Sequence, residues 1–131
     1  MAKIYEKPVV SIDTGLSEGV YAASGATGGS LNVTYIGIWD RWSSGGGKGL
    51  AQLDWSNLNG TVTVTVTFND TVDQVEYATT VDGATCSTSG SNAILTFNTS
   101  NAPSSIMFGV HIDHGTSIDN LDITGFTYSV Q

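Results

Sequence analysis

Positive charge is nearly missing from this chain: four Lys and Arg stand against twelve Asp and Glu, a formal net charge of −8 over 131 residues. Phosphate binding needs clustered Lys and Arg to release counterions, so nucleic acid is not an expected partner. The same deficit argues against electrostatic docking on an anionic membrane. No apolar run approaches the roughly 20 residues of a membrane span, and the N-terminus lacks the continuous apolar segment of a secretory signal peptide. Cys86 is the one cysteine, so no intramolecular disulfide can form, and it reads as a small, partly buried hydrophobe. A catalytic thiol would need a base beside it, and neither histidine has a spacing that suggests one. Lys, Arg, Glu and Gln, the good polar helix formers, are scarce.

What is abundant is Thr, Ser, Gly, Val and Asn, a composition suited to strands and turns. The chain divides in two. Residues 1–29 hold no sustained period and end in the small-residue string AASGATGG, which reads as a flexible arm or a removable leader. From Ser30 onward the period is two. LNVTYIGIW, GLAQLDW, GTVTVTVTF, VDQVEYATTV, NAILTF, SSIMFGVHI and NLDITGFTYSV alternate or run apolar over strand length, separated by Gly-, Asn-, Asp- and Ser-rich turns. Seven or eight short strands in about 100 residues predict an all-β chain, a single antiparallel β-sandwich domain over residues 30–131.

Alternation also nominates the core. Val62, Val64, Val66 and Phe68 share one face, with Thr61, Thr63, Thr65 and Thr67 opposite. Ile106, Phe108, Val110 and Ile112 share a second. Leu121 and Ile123, then Phe126, Tyr128 and Val130 after a slip at Gly125, form a third, and the slip marks a β-bulge. Asn59-Gly60 reads as a two-residue hairpin that pairs the strand of Leu53 and Trp55 with that of Val62 and Val64.

Most apparent sites dissolve on inspection. The T-x-T-x-T-x-T strand resembles a water-ordering surface, but one strand cannot build such an array. His111, Asp113 and His114 lack a third convergent ligand, and Asp113, Asp119 and Asp122 match no metal-binding loop, so no metal and no cofactor are expected. In GGGKG the hydroxyl residue after Lys48 is replaced by Gly49, which rules out a phosphate loop. Asp40 and Asp54 flank the tryptophans, but the chain offers no deep groove for glycosidic chemistry, so no enzyme is expected.

The stretch IWDRWSSGGGKGLAQLDW carries all three tryptophans together with Arg41 and Lys48. The simplest hairpin register opposes Tyr35 to Trp55, Gly37 to Leu53 and Trp39 to Ala51. Trp55 is then a core candidate, while Trp39 falls on either face. Trp42, past the strand end beside the glycine run, is the expected exposed indole. Sugar rings present apolar C–H faces and hydroxyl edges, which an indole and nearby Asp and Arg can meet without catalysis. The candidate ligand-binding residues are therefore Trp42, Trp39, Arg41 and Asp40.

Two resemblances add to this reading. KPVVSIDTGLSEGVYAASGATGG resembles the leaders of small Gram-positive bacterial proteins that peptidase-containing ABC exporters cleave after a double glycine. It implies cleavage at Gly28-Gly29, with Ser24-Gly25 as a second option. LNVTYIGIWDRWSSGGGKGLAQLDWSNLNGTVTVTVTF, STSGSNAILTF and SSIMFGVHI together resemble, in layout, bacterial cellulose-binding modules of the β-sandwich type. That resemblance spans about residues 31–112 and implies sugar stacking on Trp42. Thr61 stands where such modules place a tryptophan after Asn-Gly, and their terminal cysteine pair is absent, so no particular polysaccharide is implied. The expectation is a secreted or cell-surface glycan-binding module. The alternative is a secreted structural or protein-interaction sandwich, an adhesin subunit or a signal, without a glycan ligand.

Overall fold

A computed structural model describes residues 29–43 and 45–131. The expected leader or arm, residues 1–29, lies outside the described residues except for Gly29. Eight strands follow in order: β1 (Ser30–Arg41), β2 (Gly47–Ser56), β3 (Thr61–Phe68), β4 (Gln74–Tyr77), β5 (Thr85–Ser89), β6 (Asn92–Asn98), β7 (Ser105–Ile112) and β8 (Ile123–Val130). They form two antiparallel four-stranded sheets, β1-β2-β7-β4 and β5-β6-β3-β8, the expected all-β sandwich. Only the β1–β2 and β5–β6 hairpins stay within a sheet. Every other connection crosses from one layer to the other.

The core lies where alternation puts it. Val62, Val64, Val66 and Phe68 from β3 meet Ile106, Phe108, Val110 and Ile112 from β7, each 2% exposed or less. Leu95 and Phe97 of β6 and Leu31 and Leu53 of the first two strands complete it. Burying one such side chain stabilises the fold by roughly 1.5–3 kcal/mol, which is what fixes the strand phases. Phe126, Tyr128 and Val130 are buried with them, and Ile123 packs half-buried at the margin. The register of β8 on β3 shifts by one residue beside Gly125, leaving Thr124 unpaired, so the bulge falls at the expected slip.

Two expected pairings are overturned. β2 and β3 do not pair across Asn59-Gly60, because they belong to different sheets. Leu58, 3% exposed, buries in that connection and draws the chain over the end of the sandwich. Gly60 then turns at φ 124° with no room for a side chain, since a Cβ would stand 2.2 Å from the Gln131 carbonyl oxygen.

The β1–β2 register is also displaced. Tyr35 opposes Ala51, and Trp55 opposes Leu31. The loop is far tighter than expected: Arg41 already pairs with Gly47, and the Trp42 and Gly46 backbones bond across it. Gly45, Gly46 and Gly47 adopt φ of 95°, 83° and 151°, a sequence of backbone conformations that closes the turn. Two bulges in β1, at Ile36 and at Trp39, then reset its phase.

The outer face of the second sheet is uncharged. Its four strands contain no Asp, Glu, Lys, Arg or His. The threonines of β3 continue across neighbours as Thr85, Thr96, Thr127, Ser87 and Ser129. Several hydroxyls bond across the strands, Thr63 Oγ1 to Thr96 Oγ1 at 3.3 Å and Thr67 Oγ1 to the Asn92 side-chain oxygen at 2.7 Å. Those bonds consume part of the polar capacity of the face, and strand twist of about 20–25° per neighbour takes such an array out of plane.

Candidate functional site

The outer face of the first sheet is built differently. Cross-strand pairing lines up Asp40, Lys48, His111 and Gln74 in one row, and Gly37, Leu50, Gly109 and Glu76 in the next. Paired residues share a face, and the inward neighbours Ala51, Phe108 and Val110 are core, so both rows face solvent. Trp39, the unpaired bulge residue, lies across this surface with its indole against Gly109. A Cβ at Gly109 would stand 2.4 Å from Trp39 Cζ3 and 2.5 Å from Cε3. The bulge re-aims the side chain and the glycine gives it a bed, yet the residue stays 43% exposed.

Charged groups surround the indole. Lys48 Nζ stands 5.1 Å from the Trp39 ring centroid, within cation–π range. The same ammonium is 3.1 Å from Glu76 Oε2, and His111 Nε2 donates to that oxygen at 2.6 Å. The His111 hydrogen bond first, and the Lys48 bond second, hold the Glu76 carboxyl below the usual glutamate range. Trp42 stands edge-on to the His111 ring, with centroids 5.7 Å apart, and its Nε1 donates to Asp40 Oδ2 at 3.0 Å.

Three of the four residues anticipated from sequence therefore come together. Trp39, Trp42 and Asp40 share the Lys48–His111 neighbourhood. Arg41, pointing the other way along β1, ion-pairs with Asp119 in the short 3-10 turn Ile118–Asn120. Trp42, the expected exposed indole, is half-buried instead, and Trp39, for which either face was open, is the exposed one. Trp55 packs tilted on Phe97 and donates Nε1 to the Pro103 carbonyl at 2.9 Å, a wall of the core. Lys48 and His111 figure in the sequence only as phosphate and metal candidates, and Glu76 and Gly109 not at all. Lys48 sat in the tryptophan stretch as a signal, but nothing local joins Glu76 to it.

The histidines of HIDH part company. His111 goes to Glu76, whereas His114 bonds Asp73 at 2.6 Å and Asp70 at 3.2 Å, tying the 69–73 loop to the one after β7. The Asp73 hydrogen bond leads in pushing the His114 pKa up. Among the described residues no three His, Cys, Asp or Glu converge on a metal position, and no helix is long and apolar enough to cross a membrane. A small cleft between Asn69, Asp70, Thr116, Ser117, Asn120 and Leu121 opens at the same end. The Asn69 amide there is already committed to Asn120 O and the Asp122 amide. No protein-family model, curated protein or solved structure matches the chain.

Proposed function

We propose that the chain is an exported, non-catalytic glycan-binding module whose binding surface is the outer face of the first sheet, with Trp39 as the stacking residue. The observation that carries this reading is an indole pressed onto a strand glycine and left 43% exposed on a layer otherwise rich in hydrogen-bonding groups. An aromatic of that size held open to water acts as a landing surface for an apolar sugar face. Asp40, Glu76 and the exposed Gln74 lie on the same outer face and offer groups that can bond ring hydroxyls. Trp42 has a supporting part, aiming Asp40 through Nε1 and bracing His111. Export fits the leader resemblance at Gly28-Gly29, and intact Met1 on the extracellular protein by mass spectrometry would refute that cleavage.

Intrinsic fluorescence tests the binding claim. Soluble polysaccharides should shift or quench tryptophan emission, and Trp39→Ala should remove the response while leaving the circular dichroism spectrum in place. Silence from every glycan tried would sink the reading. A second reading, a secreted structural or protein-interaction sandwich, is favoured by Ile36 and Ile38, which are 51% and 41% exposed on the edge strand β1. It predicts concentration-dependent self-association or partner capture lost in Ile36→Ser, with no glycan response.

A further inference from the structure

The surface already holds an ammonium group. Lys48 Nζ sits over the face of Trp39 and against Glu76 Oε2, and its cross-strand neighbours are His111 on one side and Asp40 on the other. An indole with carboxylates beside it is the chemistry that attracts a cation, because the ring face is electron-rich and the carboxylates supply counter-charge. The chain's own lysine fills part of that arrangement and shows its preference. Capacity remains for a second cation. Both bonds to Glu76 use Oε2, no described residue donates to Oε1, and an ionised carboxylate offers about four acceptor positions. The Glu76 side chain is 40% exposed. Asp40 accepts from Trp42 through Oδ2, and it too lies exposed.

The wider charge points the same way. The chain carries −8 overall, and the two basic residues of the described domain, Arg41 and Lys48, are each held by a carboxylate. A uronic or sulfated glycan would approach against this field, and a neutral one would gain nothing from it.

Resting on the glycan reading above, we infer that the ligand is a glycan bearing free amino groups, its sugar face on Trp39 and its ammonium at the Glu76 carboxylate. The ligand ammonium shares Glu76 with Lys48 or displaces it. No bond is made or broken covalently.

The test compares three oligosaccharides of matched length, titrated against the full chain by tryptophan fluorescence and calorimetry: deacetylated chito-oligosaccharide, its N-acetylated counterpart, and a neutral gluco-oligosaccharide. At a mildly acidic pH, where the amino groups are protonated, the deacetylated sugar should bind at least tenfold tighter than the other two. The preference should shrink as salt screens it. Glu76→Gln should erase the preference, and Lys48→Met, which removes the internal ammonium, should tighten deacetylated-sugar binding several-fold. If Glu76→Gln fails to fold, the Lys48→Met titration decides the point alone. Equal or tighter binding of the neutral or acetylated sugar, still dependent on Trp39, overturns the amino-sugar inference and leaves the glycan reading standing. Absence of any Trp39-dependent binding overturns both.

Discussion

Strand β1 lays two aromatic side chains on two glycines, one on each face of the same sheet. Tyr35 points inward over Gly49, where a Cβ would stand 2.8 Å from the Tyr35 hydroxyl and from Leu121 Cδ2. Trp39 points outward over Gly109, with still less room for a Cβ beneath it. The device is the same, an aromatic bedded where a side chain is missing, but the surroundings differ. Inside, Leu121 crowds the same glycine as the ring, and the Tyr35 hydroxyl is buried without a partner among the described residues. Burial first, and the charge of Asp122 second, push its pKa up. Outside, the indole stays 43% exposed beside Lys48. A glycine under an aromatic thus marks close packing, and what lies beyond the aromatic decides whether that packing serves stability or recognition.

The comparison can be broken most forcefully from the inside. Gly49→Ala forces a methyl against Tyr35 and Leu121 at a fully enclosed position, so it should cost roughly 1–3 kcal/mol, as overpacked cores do. Urea denaturation measures it, and an unchanged midpoint would show that the inner bed is loose. Tyr35→Phe should act in the opposite direction. It removes a buried hydroxyl that lacks a partner while keeping the ring, so a gain of about 1 kcal/mol in stability is expected. A loss of stability would reveal a hydrogen bond made through solvent.

How much of this was legible in the sequence depends on what each feature rests on. β3, β7 and the slip in β8 follow a strict period of two that burial enforces, and TVTVTVTF, SIMFGVHI and the Gly125 bulge fall as read. The Trp39 hairpin does not rest on period alone. Its register depends on how tightly Gly45 to Gly47 close the turn and on two bulges, and a bulge reverses the facing of every residue after it. Asn59-Gly60 looked like a hairpin because local turn chemistry cannot see Leu58 seeking the core from the connection. Glu76 joins Trp39 only because β4 enters the first sheet beside β7, a fact of topology that no local pattern carries. Gly109 was invisible for the same reason: it matters through an aromatic from a distant strand.

The outer bed should yield a smaller stability effect with a different readout. Gly109→Ala pushes at the free end of an exposed indole, which can swing toward water, so the folding cost should be about 1 kcal/mol or less. Trp39 should then lift from the sheet. Its emission should move to the red, and the glycan response should fall although no group proposed to contact sugar has been altered. Preserved binding in that variant would mean that the indole need not lie flat.

The smallest effect is expected on the opposite outer face, and it is the control that gives the others meaning. Thr65 lies between Ile94 and Thr127 on a surface with neither charge nor indole. Thr65→Ala removes a β-branched residue from a central strand, so a loss of about 0.5–1 kcal/mol reflects strand propensity and cross-strand contact. Glycan titrations should be indistinguishable from those of the unaltered chain, because nothing on this face offers a flat aromatic surface. Hydroxyls alone do not hold a sugar against water: each hydrogen bond they make replaces one already made to solvent, so the net gain per bond is small. If Thr65→Ala weakened binding as Gly109→Ala does, the site would have to be moved to the threonine face, and the contrast between the two outer surfaces would collapse.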